Sequence, residues 1–255
     1  MRTLSRVVVI FALVLGACSS GGGGSALPKD PKAALIAAAK ATAAADSVKM
    51  KLTIGSGGSI KLGTGEGAYD FKKKLGRFNL ATSVGVSFDI VLTEDKLYLK
   101  NPKTGPGNKP WVSVTQDDST LGFMSQLRSQ VDPRDALKNI GTMTRDVTKI
   151  GSEKIRGVDT THVRGQVDLS DEAIAKAPAA ERESLRASQK QFGAEGYTID
   201  AWLDDDARVR RFEYAIGLPG GSGGATKITM DLYGYGEDPE IVVPKPDEVE
   251  ETPAA

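Results

Sequence analysis

The chain of 255 residues balances 33 basic side chains against 33 acidic ones and holds one histidine and one cysteine. With no dominant block of either sign, it lacks the clustered Lys and Arg that nucleic-acid binding needs. A single cysteine excludes an internal disulfide, and a single histidine excludes a multi-histidine zinc site.

Arg2 and Arg6 precede an apolar run from Val7 to Leu15, about half of what a membrane span requires. The run Leu15-Gly16-Ala17-Cys18 resembles the lipobox of bacterial lipoproteins. That resemblance implies that residues 1–17 are a lipoprotein signal peptide, removed by cleavage after Ala17. It also implies a diacylglyceryl thioether on Cys18, anchored at the extracytoplasmic face of the plasma membrane. Residues 18–28, with glycine at every position from Gly21 to Gly24, are expected to be the lipidated cysteine and a flexible tether. No later apolar stretch approaches the length of a membrane span.

Residues 29–244 are expected to fold, and 245–255 to form a disordered acidic tail. Asp30-Pro31 supplies an N-cap and a first-turn proline for a helix through the Ala-rich run to Ala45. Leu35, Ile36, Ala39 and Ala43 fall on one face of it. Period-2 alternation follows: Val48, Met50, Leu52 and Ile54, then Val86, Phe88, Ile90 and Leu92. The same pattern recurs at Thr161 to Leu169, Tyr197 to Leu203 and Ile228 to Leu232. Such segments are half-buried strands, and with Thr93-Glu94-Asp95, Asp204 to Asp206 and Gly217 to Gly224 as turn signals they read as an antiparallel meander of roughly ten strands.

Helical patterns interrupt the meander twice. The first, Asp117 to Ile140, presents Leu121, Met124, Leu127, Val131 and Ile140 among its apolar residues. The second, Ser170 to Phe192, is polar, with Leu185 and Phe192 as its only large anchors, and is expected to be the more mobile. Gly63, Gly65 and Gly67 lie at spacing two within a strand, which would let the sheet curl strongly. A curled sheet needs its concave side filled, or roofed over a ligand, by helices.

Four stretches resemble the actinobacterial LppX/LprG-type (LppX_LprAFG) lipoproteins, which share the LolA fold. They are Leu97 to Val114, Ile150 to Ser170, Tyr197 to Tyr214 and Ile228 to Val249. The resemblance implies an α+β fold: a strongly curved antiparallel half-barrel with helices over its concave face, enclosing an apolar cavity. It also implies carriage of an acylated lipid or glycolipid through the cell envelope, with a membrane lipid exporter as a possible partner. Periodicity nominates Val86, Phe88, Ile90, Leu121, Met124, Leu127, Val131 and Ile140 as cavity residues. The rival from another class is an anchored interaction or sensor module with a solid core.

Catalysis finds little to stand on. His162 alternates with Arg164, Gln166 and Asp168 on a polar strand face, as a hydrated or hydrogen-bonded histidine would. Asp204, Asp205 and Asp206 are adjacent rather than spaced as calcium ligands, and read as a solvated turn. The glycine runs lack the Gly-Lys-Ser/Thr ending of a phosphate loop. No enzyme, metal or cofactor is expected, and no nucleic acid.

Overall fold

The computed structural model describes residues 27–56, 60–100, 109–115, 133, 137, 140, 144–179, 182–192, 195–216 and 225–251. Cys18, Leu121, Met124, Leu127 and Val131 lie outside the described residues.

Helix α1 (Pro31–Ala43) starts as its sequence requires: Asp30 Oδ1 accepts from the Ala33 amide at 2.7 Å, and Pro31 occupies the first turn. Its buried face is Ala34, Leu35, Ala38, Ala39 and Thr42, and Ile36, expected inside, is exposed. Thr42 displaces the expected Ala43 because its hydroxyl accepts from the Val209 amide at 2.9 Å, tying helix to sheet.

Among the described residues twelve strands form one sheet, where roughly ten were expected. In chain order they are β1 (Ser47–Ser56), β2 (Ile60–Asp70), β3 (Leu75–Thr82), β4 (Ser87–Leu92), β5 (Lys96–Lys100) and β6 (Trp111–Thr115). Then come β7 (Thr144–Ile155), β8 (Val158–Asp168), β9 (Gly196–Leu203), β10 (Val209–Ile216), β11 (Thr226–Tyr233) and β12 (Val249–Glu251). The spatial order is β12-β6-β5-β4-β3-β2-β1-β11-β10-β9-β8-β7. Two antiparallel meanders, β1 to β6 and β7 to β11, are thus joined where β1 pairs with β11.

The sheet is mixed, because β12 runs parallel to β6. This corrects the expectation of a disordered tail from residue 245. Pro246–Glu248 form a 3₁₀ turn, Val249 is buried, and Glu251 accepts from Ser113 Oγ at 2.6 Å and pairs with Lys96 at 2.8 Å. Acidic residues that find fixed cationic and hydroxyl partners are held rather than repelled.

The strong curl expected from spaced glycines is also corrected. A Cβ on Gly65 would stand 2.2 Å from Phe78 Cε1, and one on Gly67 2.3 Å from Phe78 Cδ2. These glycines make room for the Phe78 ring, which lies over β2, so they serve packing.

The segment between β8 and β9 forms two helices, α2 (Asp171–Lys176) and α3 (Arg182–Phe192). Pro178 separates them: Ala177 before it is extended, as a residue preceding proline prefers. Ile174, an anchor not anticipated, is buried with Ala177 and Leu185, so this segment is pinned to the core. Gln189 Nε2 adds a bond to the Leu169 carbonyl at 2.8 Å.

Candidate functional site

Antiparallel register aligns the apolar residues of successive strands into continuous rows. One runs Val112, Leu99, Ile90, Phe78, Gly67, Met50 and Leu232, from β6 across to β11. The next runs Phe88, Leu80, Gly65, Leu52, Met230, Phe212, Ala201 and Val163, from β4 across to β8. One face of the sheet is therefore apolar almost from edge to edge. The other carries paired charges such as Lys51–Glu66, Arg211–Asp231 and Arg164–Asp200. Helix α1 packs at the β7, β9 and β10 side, and buried Leu137, Ile140, Ile174 and Leu185 join the same core.

The apolar face is unevenly covered: burial weakens toward one end along β1 and β4, while Val167, Ile199 and Ile228 at that same end stay buried. The near end is where β1 begins at Ser47, and the far end is where β1 finishes at Ser56. Near-end residues Val48, Leu92, Leu203, Val209 and Leu232 are all but fully buried. Along β4 burial weakens toward the far end: Leu92 and Ile90 are inside, Phe88 is half-buried and Val86 is 40% exposed. Along β1, Val48, Met50 and Leu52 are buried, and Ile54 is half-buried.

The far end is also where polar groups enter this face. Tyr197 and Tyr214 lie there with ring centroids 5.5 Å apart, and burial raises both phenols, Tyr214 to about 12. Both remain protonated at neutral pH and can donate. Thr144 and Thr226, 2% and 5% exposed, have hydroxyls with no hydrogen-bond partner among the described residues. A buried unpaired hydroxyl costs about 1–3 kcal/mol, so these positions favour a polar guest. A narrow signal pointed to Thr226, which breaks the apolar alternation of Ile228, Met230 and Leu232.

The nominated residues fall into three groups. Ile90 and Ile140 are buried in the apolar core, and Phe88 packs against it half-buried. Leu121, Met124, Leu127 and Val131 lie outside the described residues. Val86 sits at the β3–β4 turn rather than inside, because β4 begins only at Ser87.

His162 lies on the polar face as its alternation requires. Its Nε2 is 2.7 Å from Asp200 Oδ1 and its ring stacks on Trp202 at 4.2 Å. Asp204 departs from the expected solvated turn: it is buried and accepts from the Arg208 amide and from Arg210 Nε. Asp205 and Asp206 are exposed. The described residues contain no cluster of three or more potential metal ligands, and no described helix is long and apolar enough to cross a membrane.

The family model described as LppX_LprAFG lipoprotein matches residues 30–241. An uncharacterized 31.2 kDa protein of Streptomyces griseus, from the rplA-rplJ intergenic region, is 32% identical over 117 residues. That match covers 42% of this chain and 38% of the relative, so the chain spans about two fifths of that protein. Two solved structures are similar in fold. LprF of Mycobacterium bovis superposes with TM-score 0.53 at 17% identity, covering 87% of this chain and 99% of that one. LppX of Mycobacterium tuberculosis gives 0.52 at 15%, covering 83% and 96%.

Proposed function

The chain belongs to the LppX_LprAFG lipoprotein family, and from that premise we propose that it is a membrane-anchored extracytoplasmic carrier of an acylated lipid or glycolipid. Cys18 carries the anchor that holds the domain close to the bilayer. The acyl chains lie against the apolar face of the sheet, at Phe88, Ile90 and Ile140.

The observation that carries this reading is the one-sided apolar sheet, whose burial weakens toward the far end along β1 and β4. Transfer of apolar surface from water yields about 25 cal/mol per Å². Withdrawing a few hundred Å² of acyl chain therefore contributes several kcal/mol before ordering costs. The polar part of the ligand lies toward Thr144 and Thr226, where buried hydroxyl groups can meet an ester or sugar oxygen. The mechanism is non-covalent, in keeping with a family of binding proteins rather than enzymes.

The test is native mass spectrometry and organic extraction of the mature protein purified from membranes in mild detergent. A stoichiometric acylated species is expected. No extractable lipid, together with no uptake of a fluorescent acylated probe, would return the chain to an anchored interaction module with a solid core.

A further inference from the structure

Many lysines of the sheet and its turns are neutralised where they stand: Lys49 by Glu237, Lys51 by Glu66, Lys74 by Glu94, Lys96 by Glu251 and Lys227 by Glu213. Helix α1 departs from that habit. Lys29, Lys32 and Lys40 are exposed along it, and none of the three enters an ion pair among the described residues. At 3.6 residues per turn, Lys32, Ile36 and Lys40 form one stripe at i, i+4 and i+8, with Lys29 one turn before Lys32. The buried side of the helix, Ala34, Leu35, Ala38, Ala39 and Thr42, lies opposite. Ile36 stands 42% exposed between the lysines. The fold alone does not account for this stripe. Lys29 and Lys32 sit at the positive end of the helix dipole, where acidic side chains would stabilise and the first turn has none. An exposed isoleucine also forms helix less readily than the alanines around it.

The acids near the helix are engaged or stand elsewhere. Asp30, the sole acid from Lys29 to Ala45, caps the Ala33 amide, and Asp46 pairs with Lys72. On β7, against which α1 packs, Asp146 lies 4.0 Å from Arg145, and Glu153 accepts from Trp202 Nε1 on the polar face. Lys149 of β7 stands opposite Val163, a residue of the apolar face on which the helix lies, and is exposed. Asp205 and Asp206 belong to the turn before Val209, so they stand at the Thr42 end of the helix, about 15 Å along its axis from Lys32. Helix α1 is also the first described element after the proposed anchor. Leu27 follows Cys18 by nine residues (27 − 18 = 9), and a chain of that length reaches at most about 30 Å. The start of the helix is thus kept close to the acylated sulfur.

We propose that the Lys29, Lys32, Ile36 and Lys40 face of α1 is the surface by which the domain docks on the membrane that holds its anchor, and that the occupant is a bilayer surface bearing anionic headgroups. The proposal rests on the anchor reading, which supplies that membrane. Three ammonium groups with no carboxylate of their own to give up lie over the headgroups, and Ile36 enters the interfacial region between them. Docking by this face sets α1 between the bilayer and the sheet. The apolar face of the sheet then looks toward the membrane, and the polar face, with Arg164 paired to Asp200, looks away from it.

The test uses the mature lipidated chain reconstituted into vesicles of phosphatidylcholine and phosphatidylglycerol. An environment-sensitive fluorophore is attached through Ile36→Cys and, as the control on the polar face, through Thr198→Cys. Emission from position 36 is expected to shift to the blue, with severalfold greater quenching by spin-labelled lipid than at position 198. That difference is expected to collapse in vesicles of phosphatidylcholine alone and in about 1 M salt, where the screening length falls to about 3 Å. It is expected to collapse too when Lys29→Gln, Lys32→Gln and Lys40→Gln are combined, with the melting temperature unchanged. Equal quenching at both positions overturns the proposal, as does quenching at position 36 that is indifferent to anionic lipid. A blue shift without lipid quenching also overturns it, since a protein would then cover the helix. The intact mass of the same sample reads the anchor separately. A chain without the acyl thioether overturns the anchor reading, and the two labels, read on Cys18→Ser with excess anionic vesicles, still decide the docking face.

Discussion

Phe78 and the glycines beneath it form the tightest residue-scale contact on the apolar face. Gly65→Ala would drive a methyl into the Phe78 ring, and overpacking of this kind costs about 1–3 kcal/mol. Urea denaturation of Gly65→Ala, Phe78→Leu and the pair should reveal a coupling that relieves part of the loss, and strict additivity would deny the contact. Asp168 is the residue through which pH acts most plainly. Its carboxyl accepts from the Ser170 amide at 3.0 Å at the entrance to α2, and that bond holds it below its ordinary 3.8. A lowered folded value means that the stabilisation is complete above the unfolded pKa and is lost as pH falls through the folded one. Stability measured from about pH 6 down to about pH 3 should therefore fall less in Asp168→Asn than in the parent. His162, bonded to Asp200 on the polar face, is remote from the apolar one. His162→Ala should leave uptake of an acylated probe unchanged, and hydrolytic activity abolished by that substitution would reopen catalysis.

At the scale of elements, the last strand matters out of proportion to its length. β12 caps the edge at β6, with Val249 buried and the Lys109 ammonium on the Val249 carbonyl at 2.8 Å. Truncation after Lys245 removes these contacts and leaves an open strand edge, the usual seed of aggregation. A loss of about 2 kcal/mol is expected, from burial of one valine and a few hydrogen bonds. Amide exchange should accelerate selectively in β6 and β5. Uniform acceleration across the sheet would show that β12 does more than cover an edge. Period-2 alternation made β1, β4, β8, β9 and β11 readable in advance, because one face is apolar and the other wet. β12 stayed hidden because a three-residue strand of Val249, Glu250 and Glu251 has no period to read, and its partner comes from a distant part of the chain.

For the whole molecule, the proposed anchor and the domain are separate determinants. Cys18→Ser should abolish incorporation of a fatty-acid analogue while leaving the melting temperature of the domain unchanged. Label persisting in that variant would place the acyl group elsewhere. The local code settled what depends on neighbours in sequence: the helix at Pro31, the alternation of the strands, and the family. It could not settle which strand lies beside which. β1 pairs with β11 across most of the chain, and that pairing alone joins the two meanders into one apolar face. Nor could it separate Val86 from Phe88 and Ile90, which share a period and differ only in their distance from the end of the sheet. Burial is a property of what the rest of the chain covers. Sequence fixes the face on which a residue stands, but how deeply it is buried is decided only when distant strands assemble.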